Sequence, residues 1–197
     1  MTGFNSKPFL FVRHGQVDWN ERGLCVGQQD RALTPLGRAQ AARAATSLCN
    51  VPLGGVFCSP LRRAYETAQI ITQNSRYQPQ PVLGLSEAAL GEWEGRSEAE
   101  IRKLLTGWVS GSVTPRGGES FTGFSRRVID AVTDCLSDSL IDPPLLISHA
   151  GVFWALLHEL HHETIDPTHC VPYEFSPTQT GWHIAPLDWS RFSRQSG

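Results

Sequence analysis

The sequence predicts an α/β fold: three layers, α/β/α, around a mostly parallel central sheet. Three observations carry this reading. Short apolar runs of strand length alternate with longer segments of helical signature, the order that builds parallel sheets. Composition is that of a globular domain, 40% hydrophobic and 18% charged, which excludes disordered and collagen-like chains. A length of 197 residues suits one domain over 1–197, and there is no internal repeat, low-complexity tract or linker.

The elements follow in order. Phe9-Leu10-Phe11-Val12 reads as a buried parallel strand. Residues 17–31 are polar, with Gly23 and Gly27, and read as a loop. Thr34 as N-cap and Pro35 at the first helical position open a helix that runs to Cys49. Gly55 to Cys58 is a second strand, and Ser59-Pro60 repeats the cap-plus-proline signature for a helix to about Asn74. Pro81 to Leu83 is a weaker strand, and Gly91 to Gly95 a turn-rich loop. Ser97 with Glu100 forms a capping box for a helix through Leu105, and Thr106 to Gly118 reads as an exposed loop. A helix from Glu119 to Leu136, a strand from Pro144 to Ile147 and an apolar helix from Val152 to His161 come next. The last 30 residues carry aromatic and proline punctuation and are expected to form edge strands.

Charge and cysteine usage narrow the function classes. With 17 basic against 19 acidic residues the net charge is -2, which argues against a nucleic-acid surface. Fifteen of the basic residues are arginine, Lys7 and Lys103 being the lysines. Genome composition alone accounts for such a bias; the functional reading is that some guanidiniums grip an oxyanion. The five cysteines, Cys25, Cys49, Cys58, Cys135 and Cys170, are widely spaced without a CxxC, which argues against a disulfide framework or a zinc ribbon. The polar start, Met1 to Pro8, and the short apolar run after it do not make a signal peptide, and nothing approaches a membrane span. A cytoplasmic protein is expected, with no membrane partner.

Three expected strand ends carry polar residues: Arg13-His14-Gly15, then Ser59-Pro60-Leu61-Arg62-Arg63-Ala64, and Ser148-His149-Ala150-Gly151. Ligands of open α/β sheets bind beyond the carboxyl ends of the strands, so these segments are expected to converge, with Glu87 joining them.

At this point the chain resembles the histidine phosphatase superfamily, which includes the cofactor-dependent phosphoglycerate mutases. Val12-Arg13-His14-Gly15 followed by Trp19-Asn20 is similar to its signature. Leu33 to Ala41, Ser59 to Ala68, Leu85-Ser86-Glu87 with Gly91 to Gly95, Gly117 to Ser120, and Ser148 to Gly151 are similar to its further motifs, in family order. The resemblance implies a phosphoglycerate mutase-like fold and a site with no cofactor and no metal. It implies His14 as nucleophile, Arg13, Arg63 and His149 as neutralising groups, and Glu87 as general acid and then base. Asn20, Gly27, Ala150 and Gly151 are the expected substrate-binding positions. Arg63 rather than Arg62 matches, because the family's arginine directly precedes the alanine.

Only 61 residues, 88–148, separate Glu87 from His149, and they include the segment expected to cover the site. The mutases carry a much longer stretch there, so the resemblance is to the small bacterial phosphatases, acting on a small phosphorylated metabolite. The alternatives are mutase-type transfer and a catalytically silent binding protein. Arg96, Arg102, Lys103 and Arg116 would either meet a second anionic group or face solvent, and the C-terminal edge strands would allow a homodimer. Arg38, Arg43, Arg76, Arg126 and Arg127 are expected on solvated helix faces, and Trp93 in the core. A further alternative is a zinc metalloprotease: His158-Glu159-Leu160-His161-His162 is an HExxH pattern that on a helix would place His158 and His162 on one face for zinc, with Glu159 as base. Its third ligand is not evident, since Ile165 stands where the extended pattern wants glycine.

Overall fold

The structure is a computed structural model that describes residues 7–139, 142–188 and 192. Most of the polar start and the residues after 188, Phe192 excepted, lie outside the described residues. Six strands form one sheet: β1 (Phe9–Arg13), β2 (Val56–Cys58), β3 (Gln80–Pro81), β4 (Leu145–Ser148), β5 (Pro172–Pro177) and β6 (Trp182–Pro186). Their order is β3-β2-β4-β1-β5-β6. The first four are parallel, and β5 and β6 extend the sheet as an antiparallel hairpin. The helices are α1 (Asp18–Glu21), α2 (Pro35–Leu48), α3 (Arg62–Thr72), α4 (Glu98–Val109), α5 (Phe121–Asp138) and α6 (Ala150–Glu159).

Strand side chains alternate between the faces, and each face has its own helices. Leu10, Val12, Val56, Cys58, Leu145 and Ile147 pack with α2 and α3 through Ala41, Ala44, Leu48, Ala68 and Ile71. Phe9, Phe11, Phe57 and Leu146 pack with α5 and α6 through residues such as Val128, Val132, Phe153 and Leu156. The expected three layers are present. Trp93 is buried in the second of these cores. Cys25, Cys58, Cys135 and Cys170 are buried free thiols that burial pushes up to about 12, and Cys49 is an exposed one.

Four local expectations are corrected. Thr34 does cap α2, accepting from Gly37 N at 3.0 Å, but Ser59 does not cap α3, which begins after Leu61. The expected strand at Pro81 to Leu83 is only Gln80–Pro81, followed by a 3-10 turn at Leu83–Leu85. Ser97 makes no side-chain cap, and α4 continues past Gly107 to Val109. Burial of Trp108 accounts for that extension: it stacks on Phe124, lies edge-on to Phe121 and donates from Nε1 to Glu119 O at 2.9 Å. Packing outweighs the roughly 1 kcal/mol that a helical glycine costs. Finally, α6 ends at Glu159. His161 takes a left-handed conformation, φ 51°, while His161 N bonds His158 O and His162 N bonds Leu157 O. These are the paired bonds that terminate a helix, so His158 and His162 do not share a helix face.

The sheet topology places a crevice. The connection leaving β1 goes through α2 to β2, and the one leaving adjacent β4 goes through α6 to β5 on the opposite side. Connections diverging from neighbouring parallel strands open a cleft at their carboxyl ends. The chain after β1 is also wedged against α2, backbone on backbone. A Cβ on Gly15 would stand 2.4 Å from Gly37 O, and one on Gly37 would stand 2.2 Å from Gln16 O.

Candidate active site

Arg13 ends β1, so His14 is the first residue beyond the sheet. Its N–H donates to Ser148 O at 2.9 Å, tying the ends of β1 and β4. The residue is 3% exposed. Nδ1 lies 2.7 Å from the Gly15 carbonyl. A carbonyl only accepts, so Nδ1 carries the proton and Nε2 the lone pair. Arg63 Nε donates to that lone pair at 3.1 Å. Burial, reinforced by Arg63, His149, Arg13 and His169, holds the imidazole well below its usual value, so it is neutral near pH 7.

Arg63, in the first turn of α3, is buried, whereas Arg62 is exposed. Its Nη2 donates to Gly27 O at 2.7 Å and Nη1 to Gln29 O at 3.0 Å. Gly27 therefore belongs to the cradle of the arginine. Burial lowers this guanidinium to about 10 against the opposing pull of Glu87, and it remains charged at neutral pH. Arg13 donates from Nη1 to Pro167 O at 3.0 Å. His149, fully buried, meets the Ser59 hydroxyl through Nε2 at 2.7 Å. The hydroxyl that looked like a helix cap is thus engaged with the second histidine. Arg13 Nε and His149 Nδ1 are the buried side-chain nitrogens without a partner among the described residues.

Glu87 stands at the rim of this cluster. Its carboxylate accepts from Ala88 N at 2.9 Å and Gly151 N at 3.1 Å. The Gly151 amide, expected to serve the substrate, is given to Glu87 because the positive end of α6 favours a carboxylate there. Burial raises the Glu87 carboxyl and outweighs the amides of Ala88 and Gly151 and the charges of Arg63 and Arg13, which pull it down. Asn20 Oδ1 accepts from Val17 N at 3.2 Å and shapes the turn into α1. Gln28 Nε2 donates to Glu87 O at 2.9 Å, and Glu94 accepts from Gln28 N and Gln29 Nε2. These bonds clip the first loop to Glu87 and Glu94. Arg96 pairs loosely with Glu100 at 3.6 Å, and Arg116 is exposed.

Two further members of the site are not singled out by the sequence: Thr67, inside the Ser59 to Ala68 motif, and His169, outside any motif. Thr67 accepts from Gly15 N at 3.0 Å and donates to Arg63 O at 2.7 Å, so one hydroxyl aligns both segments. His169 donates from Nδ1 to His14 O at 2.7 Å, and its ring lies 5.5 Å from that of His14. Burial, and secondarily Arg13, lowers His169 to about 4 despite its bond to His14. The unfolded chain therefore takes up this proton first, near 6.5. The stability that His169 contributes is whole above about pH 6.5 and is lost as pH falls toward 4. Urea unfolding at pH 7 and pH 5 is expected to show a smaller acid loss for His169→Asn than for wild type. Equal losses would remove His169 as a source of acid sensitivity.

The rival zinc motif is not assembled. His158 packs edge-on against Phe121 at 5.0 Å, and His162 bonds Glu163 O. Among the described residues no group of three or more metal-ligating side chains forms. No described helix is long and apolar enough to cross a membrane.

A parallel sheet whose crevice gathers two neutral imidazoles and two guanidiniums defines a class of protein that handles an oxyanion. The chain belongs to the histidine phosphatase superfamily (branch 1), whose family model matches residues 9–184. It is 33% identical over 162 residues to the adenosylcobalamin/alpha-ribazole phosphatase of Salmonella typhimurium, covering 76% of this chain and 77% of that one. It is 31% identical over 169 residues to a 2,3-bisphosphoglycerate-dependent phosphoglycerate mutase of Cytophaga hutchinsonii, covering 80% and 78%. Among solved structures it is similar to mycobacterial glucosyl-3-phosphoglycerate phosphatase, with a TM-score of 0.76 at 26% identity over 92% of this chain and 98% of the other.

Proposed function

We propose that this protein hydrolyses the phosphomonoester of a small metabolite through a phosphohistidine on His14. The observation that carries this is the His14 ring: Nδ1–H is committed to Gly15 O, and the Nε2 lone pair lies inside a buried, cationic cluster.

Nε2 attacks phosphorus, the N–P bond forms and the ester P–O bond breaks. Arg63 Nε–H passes from Nε2 to a phosphoryl oxygen as the substrate enters. Arg13 Nε and His149 Nδ1 gain in that oxyanion the acceptor that the described residues do not give them. The Ala150 amide at the start of α6 and the Asn20 side chain complete the donor set. The raised carboxyl of Glu87 gives its proton to the leaving alkoxide. The resulting carboxylate takes a proton from water, whose oxygen attacks phosphorus and releases His14. Two guanidiniums supply the charge neutralisation, so no metal is assigned a step.

The second reading is mutase-type transfer, favoured by the similarity to the Cytophaga protein. The short segment between Glu87 and His149 supports hydrolysis over it. A panel of phosphomonoesters assayed with and without EDTA separates them. Release of inorganic phosphate, unchanged by EDTA, is the expected result. Interconversion of phosphoglycerates without phosphate release would establish the mutase, and loss with EDTA would overturn the metal-free mechanism.

A further inference from the structure

Arg127, expected on a solvated helix face, is instead committed to the segment that carries Glu87. An arginine has five N–H donors, and all five are used. Nη1 donates to Gly84 O at 3.0 Å and Ser86 O at 2.8 Å, and Nη2 to Glu87 O at 2.9 Å. The other two go to Glu119, from Nη2 to Oε1 at 2.6 Å and from Nε to Oε2 at 3.0 Å. The guanidinium also lies over the Phe124 ring at 4.9 Å. Glu119 is itself anchored: Ala89 N donates to its Oε1 at 2.7 Å, its N–H donates to Ala89 O, and Trp108 Nε1 holds its carbonyl. Glu119 neutralises Arg127, and the guanidinium meets the backbone of Glu87 rather than its carboxylate. It can therefore hold the segment without demanding that the acid be ionised.

We propose that Arg127, locked by Glu119, is the positioning residue for the Glu87 carboxyl, fixing the carbonyls of residues 84, 86 and 87 so that the acid docks on the Gly151 amide. This rests on the reading of Glu87 as general acid. A planar five-donor fork reaches three carbonyls and a carboxylate together, and an ammonium does not.

The test uses leaving-group dependence in the full chain. An alkyl phosphate needs the acid's proton on its departing oxygen, whereas nitrophenyl phosphate expels a phenolate that needs little help. Wild type, Glu87→Ala, Arg127→Lys and Glu119→Gln are compared by kcat/KM on both substrates and by inhibition with inorganic phosphate. Arg127→Lys and Glu119→Gln are expected to lose roughly tenfold or more on the alkyl ester and about threefold or less on the aryl ester, with phosphate inhibition unchanged. Equal losses on both esters, or a loss of phosphate inhibition, would overturn the positioning role. Glu119→Gln, nearly isosteric, carries the test if Arg127→Lys does not fold. Should Glu87→Ala show the leaving-group bias while the two α5-side variants do not, only the positioning inference fails. Should Glu87→Ala itself lack the bias, the acid assignment fails and this inference with it.

Discussion

His14→Ala is expected to lower kcat/KM on every phosphomonoester by about a thousandfold or more, roughly 4 kcal/mol of lost transition-state stabilisation. The size follows from the geometry. Nε2 is the one lone pair that Gly15 O and Arg63 together hold unprotonated inside the cationic cluster. The neighbouring imidazoles stand apart from it: His149 Nε2 is engaged with Ser59, and the ring centroids of His149 and His169 lie 5.1 Å and 5.5 Å from that of His14. The variant loses covalent catalysis and keeps the anion site. Inorganic phosphate should still bind, and rapid quenching should trap an acid-labile phosphoryl group on wild type and none on the variant. A variant that turns over at the wild-type rate would remove His14 as nucleophile.

The second large effect is at Arg63. Truncation to alanine removes the buried fork that touches His14 Nε2, Gly27 O and Gln29 O. A preorganised donor aimed at developing charge is worth about 10²–10³ in rate. The loss is expected in kcat and in phosphate affinity alike, because the guanidinium meets the oxyanion in both states. Stability falls as well: each carbonyl left unpaired costs about 1–3 kcal/mol where it stays buried. Steady-state kinetics, phosphate inhibition and urea unfolding measure the three terms. Arg63→Ala activity within about threefold of wild type would refute the assignment. Arg62→Ala, at the exposed neighbour, is the matched control.

Most of the fold was legible because β1, β2 and β4 are continuous apolar runs with turn signals at their ends, and the reactive residues directly follow them. His14, Arg63 and His149 could be found together because sheet topology, rather than chance packing, brings strand ends to one crevice. The misreadings have a common physical source. Thr34 and Ser59 look alike in sequence, yet one hydroxyl meets a helix amide and the other a histidine 90 positions away. Arg127 sits in an amphipathic helix where an arginine ordinarily faces water, and its partners are backbone carbonyls, which leave no mark on residue identity. His169 lies in a stretch without periodicity or motif, and reaches His14 because the chain before β5 bridges the end of β1 at Arg13, where Cys170 N donates to Arg13 O. Helix α4 outran its expected end because the anchoring of Trp108 is a tertiary contact.

The wedge between Gly15 and Gly37 bears on how such a protein diversifies. Where two backbones touch with no side chain between them, there is nothing to trim, enlarge or re-rotamer. The position of His14 is therefore a fixed datum of the backbone, and each of the two glycines constrains the other. The rim is built differently, from side-chain bonds such as those of Gln28, Gln29 and Glu94, and these can be exchanged one at a time. A lineage that starts from this architecture is free to change which ester it accepts long before it can change how the ester is cleaved.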